Sequence, residues 1–208
     1  MKEKELERLT QLKQIENEYH KQGIKYIAGI DEAGRGPLAG PVVVASVIMP
    51  EDSMIEGVND SKKVSEKKRE LLFDKIKEEA ISYSVAIISE KEIDDINILN
   101  ATKKGLTDSI SGLEVKPDLI IVDALDKIDT LGIPYKPIIK GDALAYSISA
   151  ASILAKVTRD RIMRQMDEIY PEYGFAKHKG YGTAAHISAI KEHGLCEIHR
   201  RSFTKNFV

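Results

Sequence analysis

The chain has 208 residues, of which 42% are hydrophobic and 31% charged, and its formal net charge is −2. These values are typical of one globular domain with a buried core, or of one domain with a small appendage. No apolar run is long enough to span a membrane, and the first residues contain no apolar signal-peptide core. The single Cys196 excludes an internal disulfide and fits a reducing compartment, so we expect a cytoplasmic protein.

The net charge conceals an uneven distribution along the chain. Residues 136–208 carry 12 Lys and Arg against 7 Asp and Glu, whereas residues 1–135 carry 19 against 26. A basic C-terminal part is compatible with a nucleic-acid surface, although surface charge also serves solubility alone. Charge therefore permits a nucleic-acid partner without establishing one.

The N-terminal residues 3–20 are predicted to form a charged helix. Its apolar side chains recur every three residues, at Leu6, Leu9, Leu12 and Ile15. This narrow stripe is enough to dock a helix against a domain. We interpret residues 1–23 as an N-terminal helix appended to a catalytic domain that spans residues 24–208 and includes the C-terminal helices.

Apolar runs rich in β-branched residues predict the strands of one sheet. These runs cover residues 24–31, 42–49, 82–88 and 119–122, and a last short strand begins at 138–139. A glycine-rich turn joins the first two runs, which suggests an antiparallel start. The run at 119–122 is wholly apolar, as in a buried central strand.

The remaining periodic segments predict helices. They cover residues 65–80, 90–113, 143–169 and 183–193. Ser65 and Thr183 precede two of them as N-caps, and the second is expected to break near residues 97–100. The helix from residue 143 is the longest, and the small residues in its first half would let it pack closely. A basic tail follows from residue 195.

Carboxylates follow two of the predicted strands. Asp31 and Glu32 end the first strand, Asp123 ends the fourth, and Asp142 stands at the start of the long helix. Ligand sites collect beyond the carboxyl ends of strands, so the four groups meet if the two strands are parallel neighbours. Crowded carboxylates repel one another unless cations or protons neutralise them. Hard oxygen ligands suit Mg²⁺ or Mn²⁺, and two such ions can hydrolyse a phosphodiester.

Simpler interpretations of these acids stay open at this point. Asp142 has the residue type and position of a helix N-cap, and Asp123 could be a turn residue that ends its strand. The adjacent pair Asp31 and Glu32 is harder to explain in this way, because it follows apolar sequence with no basic residue before Arg35.

The loop after the first strand contains Gly34, Arg35 and Gly36. It matches neither of the common phosphate-binding patterns, because prolines and a strand follow instead of a helix. One interpretation is a tight turn. The other is a backbone that approaches a phosphate or sugar closely, which glycine alone allows.

Basic and aromatic residues offer further candidates with equally plain alternatives. Lys62 and Lys63, like Lys177 and Lys179, are solvated charges or contacts to a nucleic-acid backbone. Tyr181 lies between two glycines, so a role in stacking or hydroxyl recognition competes with loop packing. A zinc site is also conceivable, since ligand-type residues are spaced suitably in the tail. They are His193, Cys196 and His199, but a fourth ligand is missing, which disfavours zinc.

Several long motifs in order make the chain resemble ribonuclease HII, the bacterial type 2 ribonuclease H family. The resemblance covers residues 24–203. It rests on GIDEAGRGPLAGP at 29–41, NDSKK at 59–63, VD at 122–123, KGD at 140–142, SAASILAKVTRD at 149–160, HKGYGT at 178–183 and IHRRSF at 198–203.

This resemblance implies a fold, a reaction and a metal. The fold is α/β and ribonuclease H-like, a mixed five-stranded sheet flanked by helices with a helical C-terminal part. The implied activity is endonucleolytic cleavage of RNA in RNA/DNA hybrids and of single ribonucleotides in duplex DNA. By the same resemblance, this activity uses two Mg²⁺ or Mn²⁺ ions and leaves products with 5′-phosphate and 3′-hydroxyl ends. The implied cellular role is removal of misincorporated ribonucleotides and RNA primers. We expect a monomer.

The family's functional residues match positions in this sequence. The metal-binding and catalytic acids are Asp31, Glu32, Asp123 and Asp142. The substrate-binding residues are Gly34, Arg35, Gly36, Lys62, Lys63 and Tyr181. By the resemblance, the glycine loop reads the ribose 2′-hydroxyl through its backbone and the tyrosine stacks at the RNA–DNA junction. Ala124 departs from the glycine that the family often has, which could alter the loop after Asp123.

Three rival interpretations need to be distinguished from this one. The type 3 ribonuclease H carries an extra N-terminal substrate-binding domain, for which residues 1–23 are too short. A non-catalytic nucleic-acid-binding protein on the same fold would not need four intact carboxylates. An ATPase on that fold would be expected to show a recognisable phosphate loop, and none is present.

Overall fold

The computed structural model describes residues 1–123 and 125–207, so the departure at Ala124 lies outside the described residues. Its centre is one sheet with the strand order β3-β2-β1-β4-β5. The strands are β1 (Ile27–Ala33), β2 (Val42–Ile48), β3 (Ser82–Ile88), β4 (Leu119–Asp123) and β5 (Tyr135–Ile138). The first three pair antiparallel, and β4 and β5 run parallel to β1. This confirms the predicted mixed five-stranded sheet and its antiparallel start.

Helices surround this sheet. They are α1 (Glu3–Leu12), α2 (Gln14–Lys21), α3 (Glu66–Glu79), α4 (Glu90–Ser111), α5 (Gly141–Leu144), α6 (Tyr146–Ile169), α7 (Phe175–His178), α8 (Ala184–His193) and α9 (Arg201–Thr204). A 3₁₀ turn covers Ser61–Lys63. The predicted break in α4 is present, because Asn97 has a φ of 67°. In the part of the chain that the structure describes, no helix is long and apolar enough to cross a membrane.

The two faces of the sheet bury separate apolar cores. Helices α1, α3 and α6 pack on the face that carries Val43, Ala45 and Val47, and α4 packs on the opposite face against Val44. Helix α6 approaches β1 so closely that a Cβ at Gly29 would lie 2.2 Å from the carbonyl carbon of Ser147. The small residues of α6 and Gly29 therefore set the helix directly on the central strand.

The last strand lies earlier in the chain than predicted. It covers Tyr135–Ile138 and includes Pro137, which pairs with Val122. A proline lacks the N–H that a central strand would need, but β5 is an edge strand, where the missing donor is tolerated. The prolines that suggested a loop are therefore compatible with this edge.

The predicted helix from residue 143 is instead two helices, α5 and α6, separated by the extended residue Ala145. The carboxylate of Glu16 on α2 accepts hydrogen bonds from the amides of Tyr146 (3.0 Å) and Ser147 (2.7 Å), and so caps α6 from outside. Burial raises the pKa of Glu16, and the hydrogen bonds from Ser147 and Tyr146 oppose that shift. No local pattern signals a cap supplied from 130 residues away.

The N-terminal segment is also divided, into α1 and α2, at Lys13. The Lys13 ammonium is buried and donates to the backbone carbonyls of Glu51 and Ser53, the latter at 2.8 Å. Leu9 and Leu12 join the core beside α6. Residues 3–21 are therefore attached to the domain by a buried charge, an external helix cap and apolar contacts.

Replacing Glu16 with Ala is expected to lower the free energy of unfolding by about 1–2 kcal/mol, the usual loss when a helix cap is removed. Urea unfolding measures this change. Glu18 on the same helix is exposed, so Glu18→Ala is the matched control and should change stability by less than about 0.5 kcal/mol. Equal effects of the two substitutions would contradict the capping role of Glu16.

Candidate active site

The ends of β1 and β4 bring two of the predicted acids together. Ile30 pairs with Val122 in the parallel ladder, so Asp31 and Asp123 follow at the same edge of the sheet. Because side chains alternate along a strand, Asp31 shares the α6 face with Gly29, and Asp123 shares it with Ile121. Glu32, the next residue along β1, points to the opposite face, where its Oε1 contacts Arg35 and its charge still interacts with that of Asp123.

Asp142 is brought to this edge by α5. The Gly141 amide donates a 2.8 Å hydrogen bond to Asp123 Oδ1, which fixes the start of α5 against the end of β4. The N-cap position belongs to Lys140, and the Asp142 carboxylate instead accepts from Lys62 Nζ at 3.1 Å. The interpretation of Asp142 as a helix cap is therefore wrong, and its side chain faces the acidic edge.

Burial and mutual repulsion distinguish these acids from surface carboxylates. Burial, reinforced by the charges of Glu32, Asp123 and Asp142, raises the pKa of Asp31 well above its ordinary value. Burial also raises the pKa of Glu32, against the opposing charge of Arg35, and burial raises the pKa of Asp123. A cluster whose charged state is disfavoured in this way is one that a cation would stabilise.

The donor chemistry of the site fits a hard divalent ion. Among the described residues, Glu32 Oε2 is buried without a hydrogen-bond partner, as expected of an oxygen left for a ligand. Over residues 1–123 and 125–207, the side chains as they stand form no group of three or more Asp, Glu, His or Cys that could hold a metal ion. Asp31, Asp123 and Asp142 instead accept from Glu32 N (2.9 Å), Gly141 N and Lys62 Nζ. Each of these three carboxylates is thus oriented by a hydrogen bond, and Lys62 adds a positive charge beside Asp142.

The two lysines of the DSKK segment differ in position. Lys62 reaches Asp142, and although partial burial lowers its pKa, the hydrogen bond and charge of Asp142 raise that pKa overall. Lys63 is exposed on the same 3₁₀ turn. The structure therefore places Lys62, rather than Lys63, against the carboxylates.

Two buried arginines hold the backbone of the glycine loop in place by hydrogen bonds. Arg200 donates to the carbonyls of Gly34 (Nη2, 2.6 Å), Arg35 (Nη1, 2.9 Å) and Gly40 (Nε, 2.8 Å). Gly34 has a φ of +97°, which favours glycine. Burial lowers the pKa of Arg200 to about 9, still well above neutral pH, so its positive charge lies directly beneath the loop.

Arg159 connects this loop to the one that carries Tyr181. It donates to the carbonyls of Ala39, Pro41 and Lys179, at 3.1, 2.9 and 2.9 Å. Its guanidinium carbon lies 6.0 Å from the centroid of the Tyr181 ring. Sequence analysis missed Arg159 and Arg200 as site residues, although both lie in motifs that carry the resemblance. Their position within these motifs was the available signal.

Gly36 and Tyr181, far apart in sequence, face each other. A Cβ built on Gly36 would lie 3.9 Å from Tyr181 Cε1, with no other heavy atom within 4 Å. The Leu38 amide donates to the Gly180 carbonyl at 2.8 Å, which joins the two loops. Tyr181 stays 45% exposed, and Arg35 stays half-exposed while it reaches Glu32 Oε1 at 3.4 Å. The exposed ring, the open glycine and the acids form one surface.

The tail residues with zinc-type spacing take another role. Cys196 and His199 are in contact, at 3.0 Å between Sγ and Nδ1, but His199 pairs with His186 and not with His193. His186 lies in α8 and is not one of the predicted site residues.

The fold and its acidic strand ends define a ribonuclease H-like α/β nuclease. The family model described as Ribonuclease HII matches residues 28–206. The chain belongs to the ribonuclease HII family and is accordingly a metal-dependent endonuclease of the ribonuclease H type. This confirms the resemblance drawn from the motifs.

Known proteins at several levels of sequence identity agree with this assignment. The chain is 58% identical over 206 residues to ribonuclease HII of Ruminiclostridium cellulolyticum, covering 99% of this chain and 80% of that protein. The crystal structure of ribonuclease H2 from Pyrococcus horikoshii OT3 superposes with a TM-score of 0.75 at 29% identity, covering 88% and 96% of the two chains. Bst-RNase HIII in complex with Mn²⁺ has a TM-score of 0.62 at 19% identity, covering 84% and 65%, and shows the fold alone.

Proposed function

We propose that this enzyme cuts the RNA strand of RNA/DNA hybrids and also incises DNA duplexes at single embedded ribonucleotides. The observation that carries the proposal is the surface on which the acids, through the contact of Arg35 with Glu32, adjoin the open contact between Gly36 and Tyr181. Acids that hold divalent ions, set beside a loop that a sugar can approach closely, combine phosphodiester hydrolysis with recognition of a ribose. The cellular role would be removal of misincorporated ribonucleotides and RNA primers.

The four carboxylates would hold the metal. In this proposal Asp31, Glu32, Asp123 and Asp142 bind two Mg²⁺ or Mn²⁺ ions, with the free Glu32 Oε2 among the ligands. When bound, such ions supply an activated water and stabilise the charge of the departing 3′-oxygen, which leaves 5′-phosphate and 3′-hydroxyl ends. The amide of Gly141 keeps Asp123 oriented, and Lys62 keeps Asp142 oriented.

The substrate would be read at its ribose. The 2′-hydroxyl is the group that separates RNA from DNA at one position, so recognition needs polar atoms close to the sugar. Gly34, Arg35 and Gly36 offer backbone groups held from below by Arg200, and the Tyr181 ring can stack against the sugar or base. Lys62 and Lys63 would position the phosphate backbone.

The proposal is tested with a labelled RNA/DNA hybrid incubated with Mg²⁺, Mn²⁺ or EDTA. We expect cleavage of the RNA strand with either ion and none with EDTA. The 3′-side fragments should be substrates for a ligase that requires a 5′-phosphate. Cleavage in EDTA, or fragments with 5′-hydroxyl ends, would contradict the proposed two-metal chemistry.

A further inference from the structure

A cluster of histidines lies beneath the turn that carries Tyr181. His186 and His199 are 0% and 2% exposed, and their Nε2 atoms are 3.0 Å apart. His178 stacks on His186 with ring centroids 4.5 Å apart. Tyr173 and Phe175 cover these rings edge-on and exclude water. The mechanism uses none of these histidines, so their buried hydrogen bonds need another explanation.

The network has one consistent set of proton positions. The Cys196 amide can only donate, and it lies 2.9 Å from His199 Nδ1, so this nitrogen is the acceptor. The proton of the neutral His199 ring is then on Nε2 and is donated to His186 Nε2. His186 therefore carries its proton on Nδ1, which donates to the Tyr181 carbonyl at 2.9 Å.

Burial is consistent with two neutral rings. It lowers the pKa of His199 to about 4 and lowers the pKa of His186, so both rings stay neutral near neutral pH.

His178 is also oriented by two hydrogen bonds, since its Nδ1 accepts from Gly180 N at 3.2 Å and its Nε2 donates to the Tyr173 carbonyl at 2.8 Å. The backbone on both sides of the Tyr181 side chain is thus held by oriented imidazoles.

We propose that His186, oriented by His199, is a positioning residue that holds the Tyr181 backbone so that the tyrosine ring stays against Gly36. This inference rests on the proposed function, in which the Tyr181 ring stacks against the sugar or base beside the glycine loop that reads the 2′-hydroxyl. The tyrosine ring is exposed and its turn is made of left-handed residues, Lys179 (φ 53°) and Gly180 (φ 81°). A fixed carbonyl at Tyr181 is what limits the directions in which that ring can point.

The chain permits a matched pair of substitutions at residue 186. In Asn the amide nitrogen is as many bonds from the backbone as His Nδ1, so it can donate in its place. In Gln the amide oxygen is as many bonds away as His Nε2, so it can accept from His199 Nε2. His186→Asn therefore retains the donor to the Tyr181 carbonyl and loses the contact to His199. His186→Gln retains the contact to His199 and loses the donor to Tyr181.

The readout is the ratio of kcat/KM on a single-ribonucleotide duplex to kcat/KM on an all-RNA hybrid of the same sequence. We expect His186→Gln to lower this ratio about threefold to tenfold, the range for loss of one buried hydrogen bond, with activity on the hybrid retained. His186→Asn should keep the ratio of the wild type. Tyr181→Ala provides the reference for complete loss of the tyrosine's contribution.

The outcomes separate the inference from the function on which it rests. If Tyr181→Ala lowers the ratio but the Asn and Gln variants behave alike, the positioning role is wrong and the function of Tyr181 stands. If Tyr181→Ala leaves the ratio unchanged, both are wrong. Should the residue 186 variants fail to fold, the pair at residue 199 repeats the test. There, Gln retains the donor to His186 and should keep the ratio, whereas Asn should lower it.

Discussion

Replacing Asp31 with Asn is expected to abolish cleavage, with a fall of roughly 10³-fold or more, while the metal-free protein becomes slightly more stable. A carboxylate that holds a catalytic cation contributes several kcal/mol to the transition state, and each 1.4 kcal/mol is about tenfold in rate. Burial and the neighbouring charges raise the pKa of Asp31, so its charged form is disfavoured in the fold without metal. Neutral Asn removes that repulsion at nearly unchanged volume. Cleavage assays and thermal unfolding in EDTA measure the two effects.

Two further measurements complete this experiment: the effect of added metal on unfolding, and the activity of a variant at a second aspartate. Mg²⁺ should raise the unfolding temperature of the wild type more than that of Asp31→Asn, because a ligand stabilises the state that binds it. Asp118 lies before β4, at the other end of the same strands, where it accepts from the amides of Lys25 and Tyr26. Asp118→Asn should retain full cleavage. Full activity of Asp31→Asn would contradict the assignment of the site.

Replacing Gly36 with Ala is expected to reduce cleavage about 10²-fold without loss of stability. The added Cβ would meet only Tyr181 Cε1, at 3.9 Å, so the protein itself has room for it. The methyl group would instead occupy the space through which a ribose approaches the backbone, and a displacement of about 1 Å in a bound substrate can reduce the rate by that factor. Steady-state kinetics and urea unfolding of the same preparation measure both quantities.

The same substitution at Gly34, two residues away, is expected to have a different effect on stability. A Cβ there would lie 2.0 Å from Arg159 Nε, and the residue has a left-handed φ, so Gly34→Ala should destabilise the protein as well as inactivate it. Loss of activity in Gly36→Ala with unchanged unfolding would separate substrate approach from loop folding. Wild-type activity of Gly36→Ala would show that the backbone at this residue does not contact the substrate.

Much of the fold follows from local sequence. Runs of apolar, β-branched residues predicted the strands near residues 42 and 82 within a residue, because a buried strand needs that composition over its whole length. The Thr183 cap of α8 was also predicted, and Thr183 Oγ1 accepts from the amide of His186 at 3.3 Å. The acids at the ends of β1 and β4 were located because parallel neighbours end at the same edge.

The features of the fold and site that the sequence did not predict depend on contacts between residues far apart in the chain. The boundary between α5 and α6 depends on Glu16, and the edge position of β5 makes Pro137 acceptable in a strand. Ser65 occupies the N-cap position of α3 as predicted, although its side chain makes no capping hydrogen bond. The support of the glycine loop by Arg159 and Arg200 required the folded chain, because both arginines donate to backbone carbonyls, which carry no sequence signature.

In this account, the acids and the contact between Gly36 and Tyr181 form one active site that cleaves the backbone at a ribose. The most direct test of this claim is a labelled DNA duplex with a single ribonucleotide, compared with the all-deoxy duplex of the same sequence. We predict incision on the 5′ side of the ribonucleotide with Mg²⁺ or Mn²⁺, none with EDTA, and none in the all-deoxy duplex. Cleavage confined to long RNA tracts, or incision of the all-deoxy duplex, would contradict the claim.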